Sequence, residues 1–148
     1  MRFGRSEYGV FGFPGVAFDA GKDLLASAPR IEQVTVLASK LPDQPIAPAA
    51  TRGLLLAFEA KAGCGPELEQ FLRDAQADVE GEPGTIAWFA LRLGSGSYGS
   101  FAVFPDNGDR FAHLTGPVPR ELTRQALSLL GGVPDMDLLQ VLAARFAP

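Results

Sequence analysis

Apolar and polar positions along this chain switch between two periods. Ile31-Glu-Gln-Val-Thr-Val36 alternates at period two and predicts a strand over 31–41. Gly53-Leu-Leu-Leu-Ala-Phe-Glu-Ala-Lys61 is apolar on both faces at its start, which predicts a strand central in its sheet. The period then lengthens: Leu68, Phe71, Leu72, Ala75 and Val79 form one helical stripe. Pro66 and Glu67 suit the first turn of that helix, and Glu80-Gly-Glu-Pro-Gly84 stops it. Thr85–Leu93 and Tyr98–Phe104 read as strands joined at Gly94-Ser-Gly-Ser97, and Pro105–Asp109 reads as a turn cluster. A helix begins at Arg110–Leu114, is interrupted by Gly116-Pro-Val-Pro119, and is followed by Arg120–Leu130 with Leu122, Ala126, Leu129 and Leu130 on one face. Met136–Phe146 is the last strand. The order β-α-β-β-α-β predicts an α+β, ferredoxin-like unit, with one four-stranded antiparallel sheet and both helices on one face.

Part of this pattern occurs twice. Met1–Phe11 aligns without a gap on Leu91–Phe101 at an offset of 90, matching Arg2 to Arg92, Tyr8 to Tyr98 and Phe11 to Phe101. Leu24–Leu41 aligns on Leu129–Phe146 at an offset of 105, matching Val36 to Val141 and Lys40 to Arg145. The chain therefore divides into a partial repeat at 1–42 (a strand at 7–13, a short helix near 17–27 and the strand at 31–41), a Pro-rich linker at 43–51 and a complete unit at 52–148. The strand 31–41 is expected to add to a sheet edge. The sheet face opposite the helices is also apolar and needs a cover, which predicts a homodimer or higher homo-oligomer packed face to face.

Composition narrows the function classes. The chain has 148 residues, 47% hydrophobic, enough for one domain with a real core. A net charge of −4 without a basic stripe argues against nucleic acid as a partner. No apolar run reaches membrane-span length and no signal peptide is evident, so the expectation is a cytoplasmic protein with no membrane partner. The single cysteine, Cys64, excludes an internal disulfide. One histidine and one cysteine cannot assemble the usual zinc ligand set, so no metal is expected. Gly94–Ser97 lies in a hairpin rather than between strand and helix, so it is not a phosphate loop.

Candidate chemistry gathers on two strands. Alternation puts Trp88 and Arg92 on one face, with Tyr98 and Phe104 on the same face of the next strand. That face is assigned away from the helices, because an unpaired arginine against a helix-packed core would be costly. Such an aromatic wall suits a small, planar aromatic molecule, with Arg92 holding a phenolate or enolate. His113, the only histidine, could serve as general base. Each residue also has a plainer reading: Trp88 and Phe104 as interface core, Arg92 as an ion-pair partner, His113 as a surface or capping residue.

Glu82-Pro-Gly-Thr-Ile-Ala-Trp-Phe-Ala90, Phe104-Pro-Asp106 and Phe111-Ala-His-Leu114 resemble the antibiotic biosynthesis monooxygenase family. The resemblance covers 52–148 as a full unit and 1–42 as the last half of another. It implies the dimeric α+β barrel fold, with a cavity between sheet and helices or between facing sheets. Some members oxidise hydroquinones or aromatic polyketides with O2 and no metal or flavin. Haem-degrading relatives use an Asn on the first strand, a Trp after the third and a His on the second helix; here Phe58 and Phe104 stand at the first two places and only His113 fits. The expectation is a cofactor-independent monooxygenase for a small aromatic or quinol-type substrate. The alternative is a non-catalytic small-ligand-binding or oligomerisation module, with haem chemistry a weaker third reading.

Overall fold

A computed structural model describes residues 9–12, 30–43 and 49–146. Eight elements follow in chain order: β1 (Thr35–Lys40), β2 (Arg52–Glu59), α1 (Gly65–Glu80), β3 (Ala87–Gly94), β4 (Ser97–Phe104), α2 (Asn107–Leu114), α3 (Pro117–Leu129) and β5 (Asp135–Gln140). The sheet runs β1-β3-β4-β2-β5, antiparallel at every step. From β2 onward this is the ferredoxin-like arrangement, whose second and third strands are neighbours while the first pairs with the fourth. β1 is a fifth strand on the edge of β3, so the strand expected at 31–41 does join a sheet. The expected helix near 17–27 lies outside the described residues, and of the expected strand at 7–13 only residues 9–12 are described.

Local chemistry explains most element ends. Pro lies in the first turn of both α1 and α3, where its missing N–H is not needed. The cluster read as a turn at Pro105–Asp109 is instead a helix start: Asp106 caps α2, its carboxylate accepting from the Asp109 N–H at 2.8 Å. The last strand ends at Gln140 rather than Phe146, because its pairing partner runs out. Arg52, the first residue of β2, pairs with Gln140, and one further bond from the Val141 N–H to the Thr51 carbonyl closes the ladder.

The two sheet faces are both apolar but differ in what covers them. One packs Leu54, Phe58, Trp88, Tyr98 and Phe104 against Leu68, Leu72 and Val79 of α1 and Leu122 of α3. The other carries Ala87, Phe89, Leu91 and Val103. Part of its cover comes from Phe11, whose ring stacks on Phe101 at 4.6 Å between centroids and lies 5.1 Å from Phe89. Phe11 and Phe101 are equivalent positions of the internal repeat, so the residue meets its own copy, as happens on the axis of an isologous contact.

This arrangement corrects the face assigned from sequence. Trp88, Arg92, Tyr98 and Phe104 do share a face, but it is the face under the helices. Arg92 escapes the cost of burial because it sits at the rim. Its guanidinium reaches the Glu69 carboxylate of α1 at 2.6 Å, and 41% of the side chain remains exposed.

Candidate functional site

The five residues singled out from sequence lie on one side of the sheet, but they do not make one site. Arg92 and Tyr98 are cross-strand partners beside the β3–β4 turn, and Trp88 and Phe104 lie at the far end of the same two strands. Tyr98 and Phe104 are six positions apart along β4, about 20 Å at the rise of an extended chain. A small aromatic molecule cannot touch both.

At the rim, Arg92 meets Glu69 through Nε at 3.2 Å and Nη2 at 2.6 Å, both to Oε2. Glu69 Oε1 accepts from Arg73 at 3.0 Å, one helical turn on. Hydrogen bonding to Arg92, then to Arg73, holds the Glu69 carboxyl below its ordinary value, and the Arg92 guanidinium is raised in return, chiefly by Glu69. The Tyr98 hydroxyl comes under the first turn of α1, where a Cβ on Gly65 would sit 3.3 Å from it. Between α1 and the turn opens a pocket of about 500 Å3 lined by Glu69, Arg73, Arg92, Tyr98 and the glycines Gly94 and Gly96. It is open to water, lined by apolar as well as charged surface, and can receive a planar molecule with an anionic or hydroxyl edge.

At the buried end the chemistry is closed in. His113 is 3% exposed; its Nδ1 lies 2.6 Å from Glu82 Oε2, and its ring lies 5.3 Å from that of Phe104. The Thr85 hydroxyl donates to the same Glu82 oxygen at 2.7 Å. Lys40 of β1 donates to the Glu82 carbonyl at 2.6 Å. Glu82 Oε1 is buried with no hydrogen-bond partner among the described residues. A Cβ on Gly84 would collide with the Asp109 side chain, so the glycine lets α2 approach. Glu82-Pro-Gly84 and His113, two of the sequence runs that carry the family resemblance, thus meet in space and fasten the α1–β3 loop to α2. Neither the rim pocket nor a second one beside Glu59, Leu93 and Asp135 is lined by Trp88 or His113.

Sequence reading missed Glu69, Arg73 and Glu82. Glu69 and Arg73 carry the spacing of an i,i+4 helix pair, which was the available signal. Glu82 and His113 are 31 positions apart, and nothing local joins them. Among the described residues no group of three or more His, Cys, Asp or Glu side chains could hold a metal ion, and no helix is long and apolar enough to cross a membrane.

Comparison with solved structures decides the kinship. A protein of unknown function from Nitrosomonas europaea, NE2512, is 35% identical, with a TM-score of 0.66 over 67% of this chain and 96% of its own. The chain belongs to the NE2512 family. More distant structures share the fold. A Fusobacterium nucleatum protein provisionally named a monooxygenase is 16% identical, with a TM-score of 0.68 over 85% of this chain and 58% of its own. A Listeria monocytogenes ferredoxin-fold protein described as related to antibiotic biosynthesis monooxygenases is 11% identical, with a TM-score of 0.58 over 76% of this chain and 66% of its own. The NE2512 match is about as long as the complete unit of this chain, whereas the two longer structures match more than that unit. No protein-family model matches the chain. No curated protein matches it either.

Proposed function

We propose that this member of the NE2512 family is a cofactor-independent monooxygenase acting on a small aromatic or quinol-type molecule, and that its substrate enters the rim pocket. The observation that carries this reading is the convergence of Arg92 and Tyr98 on an open pocket of about 500 Å3. The fold, shared with structures named for such chemistry, supports it.

In this reading Arg92 holds an aromatic hydroxyl as its phenolate, which lowers the cost of losing the proton. A delocalised carbon ortho or para to that oxygen, bearing one hydrogen, forms a C–O bond to O2. The resulting peroxide takes up a proton. Loss of the ring C–H proton then breaks the O–O bond, leaving one oxygen as a carbonyl and the other as water. The substrate supplies the electrons. Glu69, kept ionised by two guanidinium groups, is a weak base, and His113 lies too far along the sheet to reach the pocket. The proton therefore leaves to solvent, with Arg92 as the group that makes it acidic and Tyr98 as a wall. Trp88, Phe104 and His113 keep the strands in place beneath the helices.

A second reading has its own observation. Glu69 already satisfies Arg92, as it would in a ligand-binding or oligomerisation module without chemistry. Oxygen uptake with a panel of hydroquinones and anthrones separates the two. Uptake above the spontaneous rate that falls at least tenfold in Arg92→Ala and survives in folded His113→Ala supports the monooxygenase reading. Uptake lost in His113→Ala but kept in Arg92→Ala places the chemistry at the other end. No uptake with any compound leaves the binding module.

A further inference from the structure

Two arginines meet where β2 begins and α2 begins. Arg52 is the first residue of β2 and pairs with Phe104, at the opposite end of the strands from Tyr98. Asn107 and Arg110 lie three positions apart on α2, which puts them on one helix face. The Asn107 Oδ1 accepts from both arginines, from Arg52 Nε at 2.8 Å and from Arg110 Nη2 at 3.0 Å. One neutral amide oxygen therefore stands between two full positive charges.

Neither guanidinium is left to swing away into water. Arg52 Nη1 donates to the Thr51 carbonyl at 3.1 Å. Arg110 Nη1 donates to the Gly53 and Leu139 carbonyls at 3.1 and 3.2 Å, which ties it across the β2–β5 pair. All three acceptors are main-chain oxygens and carry no net charge. Among the described residues neither arginine forms an ion pair. The acids of α2 are used elsewhere: Asp106 caps the Asp109 N–H, and the Asp109 side chain lies against Gly84. Burial, and then the charge of Arg52, push the Arg110 guanidinium below its ordinary value. Two like charges are thus held together by the fold, and no carboxylate of their own neighbourhood answers them.

We propose that Arg52, Asn107 and Arg110 form a binding site for a small oxyanion, a carboxylate or phosphate group that bridges the two guanidinium groups. Such a group brings two or more charged oxygens, where Asn107 brings one neutral one, and matches the planar donor edge of arginine. Arg52 Nη2 and Arg110 Nε are unused among the described residues and supply further donors. The N–H groups of Asn107 and Gly108, at the positive end of α2, have no acceptor there either. Because the main-chain contacts already fix both side chains, little side-chain freedom is lost on binding. The inference does not depend on the proposed function.

The test is thermal melting of the full chain in inorganic phosphate, acetate and chloride at matched ionic strength, with phosphorus NMR line broadening as the direct readout of binding. Phosphate and acetate should each raise the melting temperature above its value in chloride, increasingly with concentration. Arg52→Gln should weaken phosphate binding by about tenfold or more, whereas Arg92→Ala, at the rim pocket, should leave it unchanged. Asn107→Asp places a carboxylate between the guanidinium groups. It should raise the melting temperature in chloride and weaken phosphate binding by about tenfold. That gain should shrink when Arg52→Gln is added, which separates it from a plain helix-end effect. Circular dichroism checks the fold of each variant. Phosphate and acetate no more stabilising than chloride, phosphate binding unchanged in Arg52→Gln and Asn107→Asp, or binding lost in Arg92→Ala instead would each overturn the proposal.

Discussion

The two ends of β3 and β4 share strands, a face and a covering helix, yet they hold their polar groups in opposite ways. At the turn end, Arg92, Glu69 and Arg73 form a charged chain whose members all keep contact with water. At the far end, Glu82, Thr85 and His113 form a hydrogen-bonded cluster closed off beneath α2. The lesson is that a sheet face is not one environment. Position along the strand decides whether a polar side chain is free to meet a ligand or is committed to holding elements together. A rim ion pair contributes little to stability because water competes for both partners. A buried, hydrogen-bonded cluster contributes mainly through what its loss would leave unpaired.

That contrast can be broken by substitution, and the largest effect belongs to the buried end. Trp88→Ala removes a side chain that is almost entirely enclosed and should cost about 3–5 kcal/mol, read as a large fall in the urea midpoint. If the midpoint hardly moves, the far end is not part of the core. Glu82→Ala should cost about 1–3 kcal/mol by leaving His113 Nδ1 and the Thr85 hydroxyl without their acceptor. A destabilisation that vanishes when His113→Ala is added would show that the two act as a pair.

The smallest effect belongs to the rim and is seen best against pH. The Glu69 carboxyl titrates below its ordinary value of 4.5 in the folded chain because Arg92 and Arg73 favour its charged form. Its contribution is therefore fully present above that value, and it is lost as pH falls through the lower folded value. Glu69→Gln should show a small stability deficit at neutral pH that closes toward the natural chain in acid. A deficit that grows on acidification would reverse the assignment. At neutral pH the same substitution frees Arg92 and should tighten binding of a phenolate-type ligand, read by fluorescence or calorimetric titration.

Much of this architecture was legible in the sequence, for reasons that can be named. The stripe from Leu68 to Val79 and the paired strands around Gly94–Ser97 announce themselves locally, since amphipathic period and turn residues agree. The end of β5 did not, because a strand stops where its neighbour stops, and the start of β2 is a tertiary fact. The facing of Trp88 and Arg92 failed for a related reason. Alternation says which residues share a face but leaves the choice between faces open, and a charge at a rim looks the same in sequence as a charge in a core. The repeat at 31–41 did reveal that its strand would join a sheet, because a segment with the pattern of an edge strand must complete its hydrogen bonds somewhere. Of the site, Arg92 and Tyr98 were within reach of pattern reading, whereas Glu82 and His113 become neighbours only after the α1–β3 loop folds against α2.

The stacking of Phe11 on Phe101 carries a consequence for inheritance. Where two identical subunits meet on an axis, one codon writes both sides, and any change arrives twice at the same spot. Here the two rings are written by separate codons in a single chain. A change in one ring can be answered by a different change in the other, so this contact is free to become asymmetric by single steps that an identical pair could never take.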